Sequence, residues 1–188
     1  MPPFPKDPRL MTPEELNGWV RSLITDRVPE STFLDYKQKP NIEGQKNRIE
    51  LAKDVSSFAN EASGIIIYGV PEEEQNGVPV PKALTECGFN METGLPEKME
   101  NIILTVVEPT LPELTLRVIE LEELKPKVLL LIYHPESWNK PHMVEGYEHV
   151  RFYRRGNFRA VPMSEKQVEA CYMLRRSSQR HADMFFEN

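Results

Sequence analysis

The chain has 188 residues, 28% of them charged, with a net charge of −6. That length suits one domain with a real hydrophobic core, and the acidic balance excludes a protein that binds nucleic acid over its whole surface, though not one with a local basic patch. No apolar run approaches the roughly 20 residues of a membrane helix, and Met1-Pro-Pro-Phe-Pro5 sets prolines where a signal peptide needs an apolar stretch, so a cytoplasmic protein with no membrane partner is expected.

Residues 1–11 are proline-rich and read as a flexible lead-in, with the domain itself over 12–181 and a short tail over 182–188. Thr12, Pro13 and Glu15 carry a capping-box pattern, and Leu16, Trp19, Val20, Leu23 and Ile24 follow at helical spacing up to Pro29. Glu30 to Lys37 reads as a strand, with Phe33, Asp35 and Lys37 on one face and Leu34 and Tyr36 on the other. A polar loop leads to a helix over 45–60, whose Ile49, Ala52, Val55, Ser56 and Ala59 form a stripe to bury.

Ile65 to Val70 is a short unbroken apolar run, the pattern of a strand covered on both faces. Strand, helix and strand here make a βαβ unit. An acidic turn (Pro71 to Glu74) and an irregular stretch then run to Leu95. Pro96 opens a third helix with Met99, Ile102, Ile103, Val106 and Val107 on one face. The segments 114–121 and 127–133 read as an antiparallel hairpin. A loop over 135–148 precedes a strand from Val150 to Arg155, and Ser164 with Gln167 caps a C-terminal helix. The fold class expected is α+β, one mixed sheet with packed helices.

Three segments could carry chemistry. Glu30, Asp35 and Lys37 offer two carboxylates for a hard divalent cation and an ammonium to steady a phosphate. Metal-assisted phosphodiester cleavage uses such groups. Five positions separate Glu30 from Asp35, so a regular strand would point them to opposite faces, and convergence needs a bend near Pro29. Glu72, in the turn after the central strand, could supply a third carboxylate from a place where α/β sheets commonly build sites. Alternation places Arg151, Tyr153 and Arg155 on one face of the 150–155 strand, and Lys140, Arg154 and Arg159 could extend a phosphate-binding patch. Each segment also fits a plainer description: a solvated strand edge, an acidic loop, and a sheet face with paired charges. If the acidic segment supports cleavage, Asp35→Asn should abolish it without unfolding the domain.

Cys87 and Cys171 lack metal or redox spacing and read as reduced cysteines. His134, His142, His149 and His181 are scattered, and no Walker loop, GxGxxG or GxSxG elbow occurs.

The order of segments resembles the Schlafen AlbA-like domain family over about 28–170. Glu30-x₄-Asp35-Tyr36-Lys37 is similar to its opening motif. Val55-Ser-Ser-Phe-Ala-Asn60 running into Ser63-Gly64 and then Gly69-Val70 resembles its central signature. Glu108-Pro109-Thr110-Leu111 resembles its "P-x-L", and Pro141 with Val150 to Asn157 its closing segment. The resemblance implies a mixed α/β fold that binds nucleic acid, RNA before DNA. From the vertebrate members it implies a Mg²⁺- or Mn²⁺-dependent endoribonuclease acting on tRNA-like RNA through three acidic residues. Glu30 and Asp35 match the first two, and Glu72 stands where those enzymes carry aspartate. Their zinc site is not expected with two distant cysteines. Attached further domains would fit the family's bacterial members, a homodimer is a further expected partner, and a non-catalytic module that positions other domains on nucleic acid or protein is the alternative function.

Overall fold

The computed structural model describes residues 4–146, 150–157 and 159–186, with 179–186 described by backbone alone. In chain order the elements are α1 (Pro13–Thr25), β1 (Leu34–Lys37), α2 (Gly44–Glu61), β2 (Ser63–Tyr68), β3 (Glu72–Gln75), β4 (Val78–Pro81), α3 (Leu95–Val106), β5 (Val107–Glu108), β6 (Thr115–Ile119), β7 (Leu129–Pro135), β8 (Met143–Glu145), β9 (Val150–Arg155), β10 (Ala160–Pro162) and α4 (Glu165–Phe186).

The β1–α2–β2 unit is parallel, with Asp35 beside Ile66 and Lys37 beside Tyr68. β7 then pairs antiparallel with β2 and with β6, giving a mixed sheet of order β1-β2-β7-β6. Helices cover both its faces, which is why β2 and β7 are apolar without alternation. Ile65, Ile67, Leu129 and Leu131 pack with Leu16, Val20 and Ile24 of α1. Ile66, Leu130 and Ile132 pack on the opposite face with Val55 and Phe58 of α2 and Met99 and Ile103 of α3. The α+β class with a mixed sheet is as the sequence indicated.

Strand pairing divides between two four-stranded sheets rather than one. The second is antiparallel, of order β10-β9-β8-β5. It lies across α2, which is thereby held between β2 and β7 on one side and β8 and β9 on the other. Leu51, Ala52, Val55 and every residue from Ser56 to Asn60 are consequently buried, so α2 buries far more than a single stripe. Asn60 joins the layers: its Nδ2 donates to the carbonyls of His142 (2.8 Å) and Tyr153 (2.7 Å), and its Oδ1 accepts from the His142 N–H at 2.6 Å.

Several expectations are corrected. Residues 4–11 are a packed strap, not a flexible lead-in. Phe4 meets the rings of Trp19 and Tyr133 edge-on, and Arg117 Nη1 donates to the carbonyls of Pro8 and Met11. The acidic turn is strand β3, paired with β4 through Asn76 and Gly77 at φ 55° and 79°. Positive φ at both central residues is the type I′ hairpin geometry that Asn-Gly favours. Pro79 and Pro81 sit in a two-stranded ribbon, where a missing N–H is tolerated. The loop expected over 135–148 contains β8, and α4 continues to Phe186 through part of the expected tail.

Candidate functional site

The chain reverses just before β1. The Ser31 N–H donates to the Leu34 carbonyl at 2.9 Å, and the Phe33 N–H to Ser31 Oγ at 3.2 Å. This bend folds Glu30 back so that its Oε1 accepts from the Tyr36 N–H at 2.9 Å, which sets its carboxyl beside that of Asp35. The five-position spacing is therefore bridged by a turn.

Asp35 is 2% exposed. Its Oδ1 accepts from Arg155 Nη2 at 2.9 Å, and Lys37 Nζ lies 2.9 Å from its Oδ2 as an ion pair poorly angled for a hydrogen bond. The same ammonium is 3.6 Å from Asp54 Oδ2 of α2. Glu72 opens β3 within electrostatic reach of Asp35, Lys37 and Arg155, with its Oε1 buried and without a hydrogen-bond donor. So the structure brings together Glu30, Asp35, Lys37 and Glu72. It adds Asp54 and Arg155, which sequence reasoning had not placed in this site. Asp54 had a signal: it shares a helix face with Leu51 and Phe58, an acidic residue on an otherwise apolar side.

Crowded carboxylates respond as electrostatics requires. Burial raises Glu30 to about 8, assisted by the adjoining Asp35 carboxylate and its charge. Burial works in the same direction on Asp35, but the Glu30 carboxyl, Lys37 and Arg155 outweigh it and hold Asp35 below its usual range. Burial also raises Glu72, aided by the Asp35 charge, and raises Asp54 against the pull of Lys37. Burial opposes the Lys37 charge, yet Asp54 and Asp35 lift it above the ordinary lysine value. At neutral pH the pair therefore holds a proton on Glu30 and a charge on Asp35.

The basic residues do not form one surface. Arg155 is 2% exposed and committed to Asp35, with its guanidinium 4.8 Å over the Phe58 ring. The strand face expected to carry Arg151, Tyr153 and Arg155 outward turns toward α2 instead. Tyr153 packs against the core there, and Arg151 at the strand's start is exposed. Arg154 lies 3.8 Å from Glu61, while Lys140 donates to Glu136 Oε1 (2.7 Å) and to the Glu61 carbonyl (3.2 Å). Arg159 is exposed and lines a cleft with Lys37, Lys53, Asp54 and Arg155. The cleft thus sets Lys37, Lys53, Arg155 and Arg159 among the carboxylates of Glu50 and Asp54, with Lys53 paired to Glu50.

The donor chemistry suits a hard divalent cation, since every candidate ligand is a carboxylate oxygen. Asp35 Oδ2 and Glu72 Oε1 are buried acceptors that lack a hydrogen-bond donor. Among the described residues no three Asp, Glu, His or Cys side chains already stand in a ligating arrangement. No described helix is long and apolar enough to cross a membrane. His149 lies outside the described residues, as does the side chain of His181.

No curated protein matches the sequence. A solved structure, the N-terminal domain of an ATP-dependent DNA helicase RecG-related protein from Nitrosomonas europaea, aligns over 83% of this chain and 92% of its own, at 19% identity and a TM-score of 0.48. The family model described as Schlafen, AlbA_2 matches residues 30–161, from the glutamate of the carboxylate cluster to strand β10. With most of its length inside that match, the chain belongs to the Schlafen AlbA_2 family.

Proposed function

We propose that this protein binds RNA and cuts its backbone in a reaction that depends on Mg²⁺ or Mn²⁺. The observation that carries the reading is that Glu30 and Glu72 both lie within electrostatic reach of Asp35, whose ion-pair partner Lys37 lines a cleft with Lys53 and Arg159. Family membership supports nucleic-acid binding as the class of function. The choice of RNA, with tRNA-like substrates first, rests on the resemblance to the vertebrate members.

Glu30, Asp35 and Glu72 would hold the cation, which when bound supplies Lewis-acid activation and offsets charge on the leaving oxygen. The residues of the chain do the rest. Glu30 surrenders its proton as the site fills, because a protonated carboxyl cannot ligate. Arg155 fixes the orientation of Asp35 from below. Lys37, held between Asp35 and Asp54 with its side chain 37% exposed, presents its ammonium to the reacting phosphate. Arg151, Arg154, Arg159 and Lys140 are the candidates for backbone contacts around it.

One observation favours a second reading, a non-catalytic binding module: the Asp35 charge is already met by two cations, so the cluster is stable without metal. Incubating the purified protein with tRNA, ribosomal RNA and duplex DNA, in Mn²⁺ and in chelator, separates the two. Fragments of RNA in Mn²⁺ alone support the nuclease. Retained binding with intact RNA under every condition supports the module.

A further inference from the structure

The loop over 136–142, between β7 and β8, holds a tryptophan out to solvent. Trp138 is 79% exposed, although tryptophan is highly buried on average in folded proteins. The loop beneath it is fixed. The Ser137 N–H donates to the Ala59 carbonyl at 3.2 Å, and Ser137 Oγ accepts from the Asn139 N–H at 3.1 Å and meets His142 Nε2 at 2.6 Å. Asn60 holds both the N–H and the carbonyl of His142. Arg175 of α4 donates from Nη1 to the Asn139 carbonyl at 3.1 Å. Both chain neighbours of Trp138 are therefore anchored. A single exposed apolar residue is ordinary on a protein surface; Trp138 differs in the rigid backbone under it and in the charge around it.

Three cations converge on the same loop. Lys140 belongs to it and is held by Glu136 and by the Glu61 carbonyl. Arg154 Nη1 lies 3.8 Å from Glu61 Oε2, a loose pair. Arg175 is held by a carbonyl, and among the described residues no carboxylate pairs with it. Against Glu61 and Glu136 these three leave an excess of positive charge, in a chain whose net charge is −6. An indole offers a flat face on which any unpaired base stacks, and a strand lying on it brings its phosphates to neighbouring cations. Tyr153 packs inward and cannot serve in this way.

We propose that Trp138 is a base-stacking residue for single-stranded nucleic acid, in which an unpaired base lies on the indole while Lys140, Arg154 and Arg175 meet the flanking phosphates. A duplex is a poor occupant, because its bases are already stacked on one another. The anchored loop presents the ring preformed, so little order is lost from the protein on binding. The proposal rests on the nucleic-acid binding in the function proposed above, and not on metal, on cleavage or on a preference for RNA.

Binding of a short single-stranded RNA, the same sequence in DNA, an abasic DNA strand of equal length and the corresponding duplex tests it, all in chelator so that cleavage plays no part. Trp138→Ala should weaken binding of both single strands by about five- to hundredfold, the loss of one stacked base. Trp138→Phe should retain most of the affinity. The salt slope should be the same in all three proteins, since the ring meets no phosphate. The abasic strand should bind the natural protein and Trp138→Ala alike. Single strands should quench the fluorescence of the natural protein, and this quenching should vanish in Trp138→Ala, which keeps only Trp19. The melting temperature should not move, because the ring is exposed. Equal affinity of the natural protein and Trp138→Ala for single strands would overturn the proposal, leave nucleic-acid binding intact and assign the indole to a protein contact. An equal loss on the abasic strand, or a loss that Trp138→Phe does not recover, would overturn it as well. Absence of binding by the natural protein would overturn both this proposal and the function on which it rests.

Discussion

Arg155 of β9 and Asp35 of β1 meet at 2.9 Å between the two sheets, with side chains 1% and 2% exposed. This contact fixes the central carboxylate of the candidate site, and it ties together strands from opposite ends of the matched family region. Arg155→Ala leaves the Asp35 charge buried with Lys37 as its remaining cation. Breaking a buried pair from one side costs about 3 kcal/mol or more, so a marked drop in the urea midpoint is expected. Arg151→Ala, on the exposed start of the same strand, should change stability by only about 0.5 kcal/mol either way. Equal effects from the two substitutions would show that Arg155 is not buried as described.

The burial of Asp35 also changes what its own substitution can teach. Asp35→Asn was expected to silence cleavage in an intact fold. With Asp35 held by Arg155 and Lys37, the amide removes the partner of two cations and must weaken the fold as well. Its loss of activity would not isolate a role in catalysis.

Glu30 should reveal itself through pH. Its carboxyl sits near 8 in the folded protein against an ordinary value of 4.5. The folded state therefore holds a proton that the unfolded chain has lost between those values. Its contribution is fully present below about 4.5 and disappears as pH rises through about 8. Glu30→Gln removes the charge that must otherwise be buried. Melting curves at pH 5, 7 and 9 should show the variant gaining on the natural protein as pH rises. By the same proton, Mn²⁺ affinity measured by calorimetry should rise up to about pH 8, with proton release on binding.

A histidine at the layer junction acts in the opposite sense. His142 is fully buried, with Nδ1 at 2.7 Å from the Pro109 carbonyl and Nε2 at 2.6 Å from Ser137 Oγ. Burial depresses it from 6.5 to about 4. A neutral imidazole in the fold faces a charged one in the unfolded chain over that window, so stability is lost as pH falls from about 6.5 to about 4. Against a His142→Gln variant, in which every carboxyl titrates as before, the natural protein should lose stability more steeply over this window. Equal acid slopes in the two proteins would contradict the buried neutral state.

Gly64 tests the packing of α2 on β2. A Cβ at this position would lie 1.9 Å from Cδ1 of Phe58, so no rotamer of an alanine can help. Gly64→Ala should cost at least the 1–3 kcal/mol or so typical of overpacking. Phe58→Leu in the same chain should recover part of it, measured by denaturant titration.

How much of this was readable in the sequence depends on which interactions shaped each segment. Helices α1 and α4 carried their own capping residues, and Thr12 with Glu15 forms the box the spacing indicated. β2 was legible because both of its faces are covered and its composition had to be apolar. β3 and β4 were hidden by a run of glutamates and by Pro79 and Pro81, although Asn76-Gly77 was the turn signal. The bend that unites Glu30 with Asp35 rests on Ser31 hydrogen bonds that no periodicity announces. Arg155 was invisible as a core residue because its burial depends on Asp35, 120 positions away in the chain. Alternation put Tyr153 on an outward face with Arg151 and Arg155, and it packs inward because β9 faces α2. Lys140 was read as part of a patch, and its ammonium is held by Glu136 and the Glu61 carbonyl.

Nucleic-acid contacts should follow the exposed arginines. Arg151 and Arg159 are the exposed members of the basic segment. If each meets one phosphate of a single strand, their joint replacement by alanine should flatten the log-log salt slope of RNA binding by about 1.4. The affinity should fall for all sequences alike, since backbone contacts carry little sequence information. Tyr153→Ala should instead lower the melting temperature. A slope unchanged in the double variant would move the interface elsewhere.

The most direct test of a metal-dependent nuclease is Glu72→Gln. Glu72 is half-buried, and no ion pair with it occurs among the described residues, so the amide keeps the shape and spares the fold. The natural protein and the variant, matched by melting temperature, would be incubated with tRNA in Mn²⁺ and in chelator. The account predicts fragments from the natural protein in Mn²⁺ only, with cleavage reduced at least a hundredfold in the variant while RNA is still bound. Undiminished cleavage by the folded Glu72→Gln protein, or intact tRNA with the natural protein in Mn²⁺, would contradict it.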